Sequence, residues 1–279
     1  MYLNTYYKAK IMFGLVGCLV LLSCSKKDDA EAETILPPLD EITVTASGEY
    51  TVNDLPGDLT KTMDGKDITD DGGFNTVYYS LEDGRTIPKE YANTDKWDIA
   101  FAGVYNSTIW ANNGSVKYES GGSNPGYGSP ARGMFYLVVD PEVDQKYYNP
   151  TTHTPVTVPI PFEYLNEAYN KVSVVPVSDD KFDFYGALGL DHFLASGDGY
   201  AYYDFYGNMA PGNPKKSHVV YNMARPFIIK TAKGNYAKVI LYSFYKGKPE
   251  NPDRDNIAPY ISFKYTILKD GSKDFSTIK

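Results

Sequence analysis

Apolar and polar residues alternate at period two along much of this chain. In PYISFKYTIL (259–268), Ile261, Phe263, Tyr265 and Ile267 fall on one face, with Ser262, Lys264 and Thr266 on the other. That is the pattern of a half-buried strand. YAKVILYSFY (236–245), PFIIKT (226–231), YAYYDFY (200–206), GMFYLVV (133–139) and WDIAFAG (97–103) are rich in β-branched and aromatic residues and end at Gly, Pro, Asn or Asp. AKGN (232–235) joins two of them and reads as a hairpin turn with Gly234 at a position that takes positive φ. The last three strands are therefore expected to form a meander. Only PFEYLNEAYNK (161–171) has helical character, with Leu165 and Tyr169 four apart after a proline. Residues 118–133 and 147–161 are Gly/Pro-rich and predict long loops. The expected fold class is all-β, a single antiparallel β-domain with long loops and at most one short helix.

The first residues stand outside this pattern. Lys8 and Lys10 precede an apolar run at 11–22, shorter than the roughly 20 residues a membrane span requires. It reads as a signal-peptide core. The run ends in LLSC, which resembles the lipobox of bacterial lipoproteins and marks Cys24 as the lipidated residue. Attachment to a membrane would then be by lipid anchor only. The acid-rich SKKDDAEAE that follows resembles the surface-export signal of Bacteroidetes lipoproteins. The expected organisation is a signal peptide at 1–23, a lipidated acidic and Pro-containing tether at 24–41, and a β-domain at 42–279.

Cysteine usage and charge narrow the chemistry. The chain has two Cys, Cys18 in the leader and Cys24 at the expected lipid site. The β-domain therefore has no disulfide, thiolate nucleophile or Cys-based metal site. A net charge of −8, with no run of basic residues longer than a pair such as Lys215–Lys216, argues against nucleic acid. GNPKKS lacks the second glycine and the strand-to-helix frame of a phosphate loop. No G-x-S-x-G or H-E-x-x-H occurs. The acidic turns DITDDGG (67–73) and NPDRDN (251–256) do not fit the spacing of a calcium loop and read as solvated turns. Nothing in the sequence points to an enzyme.

One stretch is unusual. YGNMAPGNPKKSHVVYNM (206–223) sets Met209, Met223 and His218 in a turn-rich segment, in a chain with six Met and three His. Met223 and His218 also read as ordinary strand residues, and Met209 as an exposed loop residue.

Two blocks carry a family resemblance. DKWDIAFAGVYNSTIWANNGSV (95–116) and residues 227–268, running from FIIKTAKGNYAKV to YISFKYTIL, resemble the HmuY-like haem-binding lipoproteins of Bacteroidetes. FLASGDGYAYYDF (193–205) is similar to the turn and strand before that family's ligand-bearing loop. The resemblance implies an all-β fold whose finger-like hairpin loops pinch haem, with two His or two Met as axial ligands. It also implies capture of haem, with host haemoproteins as a source, and hand-over to a TonB-dependent outer-membrane receptor. Carried onto this sequence, it makes Met209 the leading axial candidate, with His192, His218 and Met223 as further candidates. Tyr203, Phe205, Tyr206 and Tyr169 are candidate pocket-lining residues. The second ligand is expected on an earlier hairpin within about 164–184, a stretch holding Tyr164 and Tyr169 but no Met or His. His153 lies in the Pro-rich loop at 147–161. The expected protein is a surface-exposed outer-membrane lipoprotein that binds haem and does no bond chemistry. The alternatives are another tetrapyrrole or a glycan on the same fold, or an adhesin-type structural lipoprotein.

Overall fold

Two five-stranded antiparallel sheets bring their apolar faces together. A computed structural model describes residues 36–61, 73–118, 122–191 and 199–278. The signal peptide, Cys24, most of the tether and His192 lie outside the described residues, which belong to the unit Leu36–Lys279.

The first sheet runs in the order Gly48–Pro56, Tyr260–Leu268, Tyr236–Ser243, Phe227–Lys230 and Met134–Leu137. The expected closing meander is present, with Phe227 opposite Val239 and Val239 opposite Tyr265. Its turn at 232–235 places Gly234 at φ 85°, and Thr231 and Asn235 close it by a backbone bond of 2.8 Å. An L side chain rarely adopts that φ, so glycine suits the turn. The second sheet runs Ala187–Leu188, Thr108–Ala111, Ile99–Ala102, Val77–Ser80 and Arg85–Ile87.

The alternating residues meet between the sheets. Phe263 packs edge-on against Tyr79 at 5.5 Å between ring centroids and contacts Phe101 at 5.8 Å. Ile99, Phe101, Ile109, Phe135, Phe263, Tyr265 and Ile267 are all fully buried in this core. Each large apolar side chain so buried contributes about 1.5–3 kcal/mol relative to exposure.

The opposite face of the first sheet is covered too, which the alternating pattern did not reveal. Helix Phe162–Lys171 lies there. The Tyr169 and Thr266 hydroxyls are 2.6 Å apart. Lys238 Nζ donates to the carbonyls of Tyr169 (3.2 Å) and Val172 (2.9 Å), satisfying acceptors at the helix end. Thr266 and Lys238 are polar in sequence yet buried, because the helix supplies their partners. A second α segment, Pro141–Asp144, is a single turn capped by Asp140.

A separate antiparallel hairpin, Ala201–Asp204 paired with Val219–Asn222, completes the described strands relevant to function. Residues 205–218 connect its two arms. Where the resemblance implied an earlier ligand-bearing hairpin within 164–184, the chain forms the helix and then a 3₁₀ turn at Asp179–Lys181.

Candidate functional site

The unusual stretch at 206–223 is the connection and second arm of that hairpin, and its loop is built around Asp204. The Asp204 carboxylate is 1% exposed and accepts the backbone N–H groups of Asn208 (2.8 Å) and Met209 (2.9 Å). Its carbonyl accepts the N–H of His218 at 2.8 Å, so one residue ties both ends of the connection. Gly207, at φ 71°, lets the chain turn back against Ser217; a Cβ there would sit 3.1 Å from the Ser217 nitrogen.

At the base of this loop a cleft of about 310 Å³ opens between the hairpin, the loop around Tyr105 and the loop before Tyr260. Tyr105, Tyr203, Phe244 and Tyr245 give it aromatic walls, and Val220, Ile257 and Ala258 add aliphatic surface. Its polar groups are Lys61, Ser107, His218, Arg254 and Asn256. A mainly apolar concavity with a few convergent polar groups, at the small end of the roughly 300–1,000 Å³ range, is the ordinary form of a small-molecule site.

The walls are held in place from behind. Tyr245 is buried and its hydroxyl accepts the Val220 N–H at 2.9 Å; burial pushes its pKa well up. Asn106, fully buried, accepts from Asp58 N–H (2.8 Å) and donates to the carbonyls of Asn75 (2.7 Å) and Phe101 (3.0 Å). Those bonds fix the loop that presents Tyr105. Tyr105 and His218 both have left-handed backbones, at φ 53° and 59°, an uncommon conformation for residues other than glycine.

His218 is the centre of the polar set. Its Nδ1 lies 2.7 Å from the Tyr203 hydroxyl, and the Phe205 ring meets it edge-on at 4.5 Å. Burial, then the charge of Arg254, lowers the imidazole pKa, so the ring is neutral at pH 7. Burial of Tyr203 raises its phenol to about 12, with the neighbouring Tyr105 adding to the effect. In the tautomer with Nδ1–H donating to Tyr203, Nε2 carries a lone pair, the arrangement seen when a second residue orients a ligating histidine.

The sequence-derived candidates separate into distinct places. Tyr203 and His218 line the cleft, and Phe205 packs edge-on against His218. Tyr206 is 63% exposed, its ring against Phe205. Met209 is half-buried against the hydrophobic core and is not among the residues lining the cleft. Met223 is 1% exposed within the core. Tyr169, a residue of the helix, is buried against the first sheet. Neither lines the cleft. His153 sits in the short hairpin formed by Tyr148–Asn149 and Thr154–Pro155. Among the described residues, His218 is the single imidazole or thioether side chain lining the cleft.

Tyr105, Phe244, Tyr245 and Arg254 were not singled out from sequence. Tyr105 and Arg254 lie in turns, and only the fold brings them to the hairpin. For Arg254 the one local signal is a lone cation inside the acidic turn NPDRDN.

No protein-family model matches the sequence, and no curated protein matches it. Among solved structures the chain is similar to the apo HmuY analog TFO of Tannerella forsythia, at 13% identity over 82% of this chain and 99% of that one, with a TM-score of 0.33. It is also similar to a predicted lipoprotein of Bacteroides fragilis, at 13% identity over 82% of this chain and 91% of that one, with a TM-score of 0.30. At such scores the all-β assignment rests on the hydrogen-bonded strands themselves. Among the described residues no helix is long and apolar enough to cross a membrane.

Proposed function

We propose that this chain is a lipid-anchored, surface-exposed outer-membrane protein that captures haem in the cleft at the base of the Ala201–Asp204/Val219–Asn222 hairpin and passes it on without bond chemistry. The observation that carries the reading is His218: a neutral imidazole, oriented through Nδ1 by Tyr203 and lining an aromatic-walled cleft. Imidazole is an established axial ligand of haem iron. Aromatic and aliphatic walls suit the apolar face of a porphyrin. At about 310 Å³ the cleft would enclose only part of a macrocycle. A receptor of the TonB-dependent class is the proposed recipient, and host haemoproteins a proposed source.

A haemin titration followed by visible absorption, in oxidising and reducing conditions, tests this. The expected result is a shifted Soret band saturating at one equivalent, lost in His218→Ala and retained in Met209→Ala. A spectrum that stays that of free haemin in both redox states would remove haem as the ligand. Loss of the band in Met209→Ala alone would move the axial position from the cleft to the loop.

A further inference from the structure

The cleft has an electrostatic character that its shape does not explain. Among the described residues its lining includes two cations, Lys61 and Arg254, and no Asp or Glu, although the chain as a whole has a net charge of −8. The acids flanking Arg254, Asp253 and Asp255, are not among the described residues that line the cleft. Asp255 pairs with Lys215, and Asp253 accepts the Asp255 N–H at 2.8 Å. The Arg254 guanidinium forms no ion pair among the described residues; its side-chain bond is a long one, 3.4 Å to Ser217 Oγ. Its backbone is fixed, the N–H donating to Lys215 O at 2.9 Å, which joins this loop to the hairpin connection. Arg254 lines the same cleft as His218 and Tyr203.

From this arrangement we infer that the cleft selects acidic ligands: an apolar aromatic body lies among Tyr105, Tyr203 and Phe244 while a carboxylate or similar anionic group pairs with Arg254. A guanidinium offers a planar pair of donors matched to such a group. An acidic protein repels anions over most of its surface, so a local cation with no acid beside it among the described lining residues is what admits one. His218, neutral at pH 7, adds no competing charge. The inference rests on reading this cleft as a binding site, and it names the chemical class of the ligand irrespective of whether iron is present.

Two fluorescent probes of similar aromatic size test it: 8-anilinonaphthalene-1-sulfonate, an anion, and N-phenyl-1-naphthylamine, which is neutral. Both are titrated into the wild-type protein, Arg254→Gln, and Lys248→Gln as a control that removes a cation outside the cleft, where Lys248 stacks on Tyr242. The expected result is sulfonate binding weakened about tenfold in Arg254→Gln, neutral-probe binding unchanged there, and no change for either probe in Lys248→Gln. Unchanged neutral-probe binding also shows that the variant is folded. Equal losses for both probes, no loss for either, an equal sulfonate loss in Lys248→Gln, or no sulfonate binding to the wild-type protein would each overturn the inference. Haemin titration separates it from the parent reading. Sulfonate discrimination without a haemin shift keeps an acid-selective cleft and removes haem. A haemin shift without discrimination does the reverse.

Discussion

The Tyr203 hydroxyl and His218 Nδ1 are 2.7 Å apart across the first and second arms of one hairpin. Their backbones are not directly paired: Tyr203 opposes Val220, and His218 stands just outside the ladder, at the end of the connection. The contact therefore depends on the left-handed turn at His218, φ 59°, which brings its ring back toward the first arm. A side chain held at one ring nitrogen presents the other in a defined direction, which is what a ligating imidazole requires.

Tyr203→Phe is accordingly expected to leave the fold intact and weaken haemin binding about 10–100-fold, the usual cost of losing the partner that orients a ligating histidine. Visible titration with a parallel thermal melt checks this. Unchanged affinity would mean that the hydroxyl has no part in holding the ring for a ligand.

Asp204 governs the loop on a different scale. Replacing it with Ala leaves the partly buried Asn208 and Met209 N–H groups without their acceptor, at about 1 kcal/mol, the low end of the range for buried donors. The expected effect is local, with faster hydrogen exchange at amides 208 and 209 and a smaller change in the core strands. Uniform acceleration across the first sheet would show instead that the loop is part of the global unfolding unit.

The sheets were largely legible from sequence, because a face that packs against another sheet must alternate, as Phe263 and Tyr265 do against Ser262 and Thr266. Even so, alternation reports only one face. The helix over Thr266 and Lys238 satisfies their polar groups, and that satisfaction depends on contacts between residues up to 97 positions apart. The candidate cleft was legible in part for the same reason. Tyr203, Phe205 and His218 share a hairpin and were found together, whereas Tyr105 and Arg254 reach the cleft through long-range packing. Soft side chains were a weaker guide: Met223 stands within the same stretch as His218, but its side chain belongs to the core.

Arg225 ties several elements together at the root of the hairpin. Its Nε and Nη2 donate to Asp144 Oδ1 (3.1 Å) and Oδ2 (2.7 Å), and Nη1 to Gly199 O (2.8 Å), all with the side chain 1% exposed. Asp144→Asn removes the closer of two buried countercharges, Asp191 remaining 3.6 Å from Nη1, and is expected to cost about 2–3 kcal/mol in urea denaturation, less than the cost of about 3–5 kcal/mol for a wholly uncompensated buried charge. Arg225→Lys is expected to cost nearly as much, because an ammonium cannot span both carboxylate oxygens. A loss below about 1 kcal/mol in both, the scale of an exposed pair, would contradict this account.

The pair Glu82 and Asp98 makes stability depend on pH in the unusual direction for a carboxylate. Asp98 is buried, and burial followed by the charge of Glu82 raises its pKa from 3.8 to about 7. Glu82 is itself buried, with Oε1 accepting from Thr231 Oγ1 (2.6 Å) and Asn235 Nδ2 (3.0 Å). Because the folded protein holds the Asp98 proton more tightly than the unfolded chain does, this contribution is fully present below pH 3.8 and is lost as pH rises through about 7. His218, whose pKa is lowered, works in the opposite sense, costing stability as pH falls below its unfolded value. The two are separated by comparing the wild-type protein with Glu82→Gln. Removing the Glu82 charge relieves Asp98 and leaves His218 untouched. The melting temperature of Glu82→Gln relative to wild type is therefore expected to climb between about pH 5 and 7.5 and then level off. A difference that stays constant over that range would mean that Glu82 does not hold the proton on Asp98.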